Sequence, residues 1–335
     1  MAITTNMLAA TPEAIHEAAG LLRAGRLVAF PTETVYGLGA DAGNPEAVRR
    51  MFAAKGRPAD HPVIVHVADA AAIEALAASV PAAARTLAAA FWPGPMTLVL
   101  RRSPRVSDLV TGGLETVGLR VPAHPVARAL LTEFGGPVAA PSANRFGRVS
   151  ATCAEHVLEE LAGHVDLILD GGPCPIGLES TIIDLSRGAP VILRPGAVTA
   201  EQVAALLGTA AAPSGAAPRV SGNLPSHYAP QARVEVVPPE ALVARALALG
   251  TAGKRVAILA PQEPVGLGPG IRWVQIPAEQ AAWARSLYAS LRRVDELGCE
   301  VALTTLPKEE GLGTAIADRL RRAAGPRDLE PEPLA

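Results

Sequence analysis

Lysine is almost missing from this 335-residue chain, with three residues against 27 arginines. Arginine dominance suits bidentate recognition of phosphate or carboxylate, and genome composition explains it equally well. Aromatic residues make up only 3%, while hydrophobic residues reach 49%, so the cores must be built from Ala, Val, Leu and Ile. The three cysteines, Cys153, Cys174 and Cys299, lie far apart with no C-x-x-C spacing. That excludes a zinc motif and a disulfide framework and points to a reducing compartment. The N-terminus lacks a basic leader followed by an apolar stretch. No uncharged apolar run reaches the roughly 18 residues a membrane helix needs. The expectation is a soluble, cytoplasmic protein with no membrane partner. A formal net charge of −2 argues against a protein that lives mainly by coating nucleic acid.

Signature motifs are missing too. No G-x-x-x-x-G-K-[ST] is present, so a P-loop is excluded. Gly266-Leu267-Gly268-Pro269-Gly270 does not fit G-x-G-x-x-G. No H-E-x-x-H or His/Asp cluster marks a metal site held by protein ligands.

What is present reads as α/β. Thr11-Pro12-Glu13 and Asn44-Pro45-Glu46 open helices with a capping side chain, proline at the first helical position and an acid in the first turn. Thr199-Ala200-Glu201-Gln202 has the capping-box pattern. Apolar runs predict strands at 27–30, 62–67, 96–100, 117–121, 166–169, 180–185 and 190–194. Residues 208–230 are rich in Ala, Pro, Gly and Ser without periodicity and read as a linker. Beyond it, strands at 233–237, 255–259, 271–275 and 300–305 alternate with helices at 239–249, 278–296 and 311–324. This predicts a small domain with a mainly parallel sheet.

Polar residues gather at strand ends, where an open α/β sheet holds its ligand. The densest group is Pro31-Thr32-Glu33-Thr34-Val35-Tyr36-Gly37, directly after the strand ending at Phe30. Lys55-Gly56-Arg57-Pro58 is either a helix cap or a phosphate clamp. Arg120 interrupts an apolar strand and faces either solvent or a ligand; His66 is a satisfied strand residue or a ligand group. Pro141-Ser142-Ala143-Asn144, followed by Gly147, Arg148 and Ser150, offers N–H groups and hydroxyls that can cradle an anion, or makes an ordinary turn. Glu179-Ser180-Thr181 and Arg194-Pro195-Gly196 add hydroxyls and a cation at further strand ends.

Read jointly, these segments resemble the threonylcarbamoyl-AMP synthase family, the YrdC-like proteins, in their long two-domain form. The resemblance also rests on Trp92-Pro93-Gly94-Pro95-Met96-Thr97-Leu98 and Gly118-Leu119-Arg120-Val121-Pro122. It runs in the family's order over about residues 10–208, with His227-Tyr228-Ala229-Pro230 as the linker signature. It implies a YrdC-like twisted open mixed sheet with helices in a catalytic domain over 1–209. A linker over 210–230 and a smaller Rossmann-like α/β domain over 231–335 would follow. It implies that L-threonine, bicarbonate and ATP give threonylcarbamoyl-AMP and pyrophosphate. A partner tRNA threonylcarbamoyl transferase complex then uses the product beside the anticodon. Thr34, His66, Arg120, Ala140 and Ser180 are expected to bind threonine, with Arg120 on its carboxylate in bidentate fashion. Lys55, Arg57, His61, Thr116, Ser142, Ser150, Arg194 and Tyr228 are expected to bind ATP, with magnesium carried by the nucleotide. No general base is identified, and Glu33 and Tyr36 carry no assignment. The chain departs from the pattern at His61-Pro62-Val63, where Asn-Pro-Leu is common, and at Ala151, where proline is usual.

Two other readings compete. An RNA-binding protein using the same concave surface is disfavoured by charge, since residues 1–209 hold 16 Lys and Arg against 19 Asp and Glu. The carbamoyl-adenylating hydrogenase-maturation protein contains a related module, but its zinc-finger cysteine pairs are absent. The expected role of residues 231–335 is to position the linker and limit access to the site.

Overall fold

The computed structural model describes residues 3–209, 212–213, 220, 222 and 224–326. Of the linker expected at 210–230, residues 210, 211, 214–219, 221 and 223 lie outside the described residues. So do the end segments 1–2 and 327–335.

Among the described residues, eleven strands form the first sheet. In chain order they are β1 Asn6–Ala9, β2 Val28–Phe30, β3 Gly37–Asp41, β4 Ile64–His66, β5 Met96–Arg101, β6 Thr116–Arg120, β7 Val138–Ala139, β8 Leu167–Asp170, β9 Thr181–Asp184, β10 Val191–Arg194 and β11 Ala212–Pro213. Their order across the sheet is β1-β8-β2-β3-β7-β4-β6-β5-β9-β10-β11. Parallel and antiparallel pairings mix, as expected for this architecture. The register matters for the site. In the parallel pair β4–β6, His66 is the direct partner of Arg120, so both side chains leave the same face of the sheet.

The helices stop and start where local chemistry dictates. Thr11 Oγ1 accepts the Ala14 N–H at the head of helix Pro12–Arg23, and the Asn44 side chain caps Pro45–Lys55. Thr199 and Gln202 form the reciprocal capping box of helix Ala200–Leu207. The core contains few rings, as the composition requires. Alanines such as Ala18, Ala19, Ala84 and Ala88 let helices lie close to the sheet.

Strand β3 lies outside the strands that apolar runs predict. A Cβ at Gly39 would lie 2.9 Å from the Phe30 ring and 3.1 Å from Val138 Cγ1. The glycine is there because Phe30, Val138 and the Val28 carbonyl crowd the strand, not because the chain turns.

The second sheet is parallel in every pairing. Its strands are β12 Arg233–Val236, β13 Val256–Ala260, β14 Ile271–Gln275 and β15 Val301–Thr304, in the order β12-β15-β13-β14. Alternate residues of β13 serve two cores. Val256, Ile258 and Ala260 face the helix Leu242–Thr251, while Ala257 and Leu259 join the helices Gln280–Glu296 and Leu312–Ala323. The second of these cores also takes in Val35, Val149, Leu178 and Tyr228 from the chain before it, so the two sheets share packed interior. Among the described residues no helix is long and apolar enough to cross a membrane.

Candidate active site

The loop after β2 is closed by its own hydroxyls. Thr32 Oγ1 accepts the N–H groups of Thr34 and Val35 at 3.2 Å and donates to the Val35 carbonyl at 2.6 Å, a side-chain turn of the kind threonine favours. Pro31 ends the strand and that turn aims Thr34 and Glu33 inward. The Tyr36 hydroxyl donates to the Gly172 carbonyl at 2.9 Å, which makes Tyr36 a buttress between loops.

Glu33 is the residue that motif reading left unassigned, and it holds Arg120. Their Oε1 and Nη2 are 2.6 Å apart, both side chains nearly buried, and the other Glu33 oxygen accepts the Ala123 N–H at 2.9 Å. Burial alone would raise the Glu33 carboxyl. The Arg120 charge and these hydrogen bonds outweigh burial, and the net shift is downward. Arg120 Nη2 also donates to Thr34 Oγ1 at 2.9 Å, and its Nε donates to the Gly94 carbonyl at 3.3 Å. Nη1 makes no hydrogen bond among the described residues.

His66 stands beside Arg120, with its ring edge-on to Phe30 at 6.3 Å. Burial, and then the Arg120 charge, push its pKa down to about 3, so the imidazole is neutral near pH 7. Its Nδ1 is buried without a hydrogen-bond partner among the described residues, which an incoming polar group would supply. Ser180 Oγ shares a hydrogen bond with Thr97 Oγ1 at 2.8 Å and accepts from Arg194 Nη2 at 3.1 Å. Arg194 also grips the Ser180 carbonyl, through Nε at 3.2 Å and Nη2 at 2.9 Å.

These groups surround one cleft of about 520 Å³, counting the solvent space at its mouth. All five residues expected at threonine line it: Thr34, His66, Arg120, Ala140 and Ser180. Arg57, Ser142, Arg194 and Tyr228 from the ATP set line it as well. The structure holds the other four elsewhere. Lys55, at the end of its helix, is buried and donates to the Ser142 carbonyl at 2.6 Å and to the Asn144 carbonyl, which ties down the 141–145 loop. Burial, and then the Arg57 charge, push the Lys55 pKa well below its ordinary value. Ser150 donates to Glu179 at 2.6 Å behind the wall. His61 packs edge-on against Phe146 at 5.4 Å. Thr116 lines a neighbouring pocket with Pro62, Val63, Ile64, Gly118 and Ile182; Ile64 borders both.

His227 and Tyr228 close one side of the cleft. Tyr228 has a left-handed backbone, φ 62°, a strained conformation for an aromatic residue. Its hydroxyl and the His227 Nδ1 are buried with no hydrogen-bond partner among the described residues.

A family model described as Telomere recombination matches residues 20–196, and one described as Threonylcarbamoyl-AMP synthase, C-terminal domain, matches 198–325. The threonylcarbamoyl-AMP synthase of Pyrococcus abyssi is 43% identical, covering 94% of this chain and 95% of its own. The chain belongs to the threonylcarbamoyl-AMP synthase family. The Bacillus subtilis member is 42% identical over 96% of each chain. A solved structure of P. abyssi Sua5 complexed with L-threonine superposes with a TM-score of 0.88 at 39% identity, covering 97% of this chain and 98% of that one.

Four residues of the site escaped motif reading. Glu33 and Glu179 are carboxylates inside recognised motifs, where a buried acid next to a ligand residue is a readable signal. Tyr288 and Arg319 reach Glu179 from the second domain and carry no such signal.

Proposed function

We propose that this chain makes L-threonylcarbamoyl-AMP from L-threonine, bicarbonate and ATP, with release of pyrophosphate. The observation that supports this best is a cleft lined by the hydroxyls of Thr34 and Ser180 and by Arg120, Arg57 and Arg194. The solved relative bound to L-threonine supports threonine as the amino acid.

In this reading threonine lies against Thr34, His66 and Ser180, with its carboxylate toward Arg120. The uncharged amine adds to carbon dioxide derived from bicarbonate and loses a proton, giving a carbamate. A carbamate oxygen then attacks the α-phosphorus of ATP, and pyrophosphate leaves with its bonding pair. Arg57, Arg194 and the 141–145 loop meet the charge that develops on the phosphates. Each charge-assisted hydrogen bond contributes about 1.5–3 kcal/mol, so three or four hold a triphosphate. The apolar pocket beside Thr116 suits the adenine. His66, with its pKa near 3, is too weak a base to take the amine proton, so catalysis rests on positioning and electrostatics.

Among the described residues no group of three His, Cys, Asp or Glu side chains is arranged to cage a metal, and Glu179 already accepts three donors. That donor set fits magnesium arriving on the phosphate oxygens of ATP, where it would neutralise charge. The product would serve a tRNA-modifying transferase in the cytoplasm.

The test is mass detection of threonylcarbamoyl-AMP from purified chain, ATP, threonine and bicarbonate. Pyrophosphate release that runs equally well without threonine or bicarbonate would sink the reading.

A further inference from the structure

Glu179, the residue before Ser180, is one place where the two domains meet chemically. One carboxylate oxygen accepts from Ser150 Oγ at 2.6 Å. The other accepts from the Tyr288 hydroxyl at 2.7 Å and from Arg319 Nε at 2.8 Å. Tyr288 belongs to the helix Gln280–Glu296 and Arg319 to Leu312–Ala323. Arg319 is wholly buried. Its Nη2 donates to the Pro195 carbonyl at 3.0 Å, beside Arg194, and its guanidinium carbon lies 5.1 Å from the centre of the Tyr228 ring. Tyr228 stacks on Tyr288 at 5.7 Å and 25°.

Packing repeats this arrangement without charge. Val35, Val149 and Leu178 sit one residue from Thr34, Ser150 and Glu179, and all three lie in the second domain's apolar cluster. The approach is close at Gly177, where a Cβ would lie 2.5 Å from the Arg285 carbonyl oxygen. Three loops of the cleft are therefore anchored in the second domain: Arg292 Nη2 donates to the Val149 carbonyl at 2.7 Å, and at Glu179 the anchor is an ion pair with a residue lining the cleft.

A buried carboxylate in the wall of an anion site works against it. Uncompensated, it repels polyphosphate and draws nearby cations to itself. We infer that Arg319 and Tyr288 are positioning residues for the proposed adenylation: they neutralise and aim Glu179, so the second domain sets the charge that the phosphates of ATP meet. This rests on the function proposed above and extends it to residues outside the cleft.

A double-mutant cycle tests it in the full chain. Arg319→Gln, Glu179→Gln, the pair together and Tyr288→Phe are titrated with ATP by calorimetry and assayed for threonine-dependent pyrophosphate release. Arg319→Gln is expected to weaken ATP binding on the order of tenfold, with a much smaller change in the KM for threonine. Adding Glu179→Gln restores most of that loss, because no lone charge remains buried. Tyr288→Phe removes a single oxygen and weakens ATP binding about threefold. A double variant that shows the product of the two single losses overturns the inference, as does Tyr288→Phe with unchanged ATP binding. If Arg319→Gln does not fold, Tyr288→Phe decides alone. Wild-type chain that binds ATP but releases no pyrophosphate on adding threonine counts against the proposed reaction instead, and the ATP titrations still judge the charge compensation.

Discussion

Arg120→Lys separates the amino-acid end of the cleft from the nucleotide end. The guanidinium spans Glu33 at 2.6 Å, Thr34 at 2.9 Å and the Gly94 carbonyl at 3.3 Å, and one nitrogen remains for a ligand. An ammonium is a single point of charge on a flexible stem and cannot cover those directions at once. Lysine would stay with Glu33, whose carboxylate is fixed by the Ala123 N–H, and give up the threonine carboxylate. Losing one charge-assisted hydrogen bond costs about 1.5–3 kcal/mol, which is on the order of a 10- to 150-fold rise in the KM for threonine. Alanine is the poorer choice. It leaves Glu33 buried and unpaired, at about 3–5 kcal/mol of stability, and would mix unfolding with lost binding. The assay varies threonine at saturating ATP and bicarbonate, then ATP at saturating threonine, with thermal unfolding as a check on the fold. A threonine KM within about twofold of wild type, or a shift confined to ATP, would refute the placement of Arg120 at the amino acid.

Three further outcomes follow from the same structure. Burial holds His66 and His227 near pKa 3 in the folded chain, against 6.5 ordinarily, so below pH 6.5 the unfolded chain takes up protons that the folded chain refuses. Stability should fall with acidification by roughly 4 kcal/mol at pH 5 for the two together. Glu179, held near 2 instead of 4.5, adds to that loss only below about pH 4.5. Urea midpoints that stay flat between pH 7 and 5 would contradict the buried neutral imidazoles. Gly39→Ala forces a methyl against Phe30 and Val138 and should cost about 1–3 kcal/mol in urea unfolding; an unchanged midpoint would show that β3 has room to spare. Chelation of magnesium should weaken ATP binding in calorimetry and halt product formation, both restored by added magnesium, whereas full activity in excess chelator would exclude the proposed role.

Much of the fold was legible because its signals are local. A threonine or asparagine two residues before a glutamate starts a helix by capping it, and Thr11, Asn44 and Thr199 do this with bonds to residues two or three positions on. The second sheet was readable for the same reason, with short apolar runs separated by helical periods. Strand β3 was not, because the reason for Gly39 lies in Phe30 and Val138, one on the strand before and one about a hundred residues later. Glycine in sequence signals freedom or crowding alike, and only the neighbours decide between them.

The same limit explains what was missing from the site. Motifs named nine residues that line the cleft, most of them at strand ends. They did not name what holds them. Glu33 meets Arg120 across 87 residues, and Glu179 meets Tyr288 and Arg319 across 109 and 140. On a helix, Tyr288 and Arg319 look like one more apolar-face aromatic and one more basic residue. Their meaning comes from being buried, because a wholly buried arginine must have a carboxylate to justify its desolvation, and here one of its two carboxylate partners, Glu179 beside Asp318, belongs to the cleft. A domain that only covered the linker would need apolar contact and nothing more. This one places a charge beside Ser180 and Arg194, which makes it part of the electrostatics of the cleft.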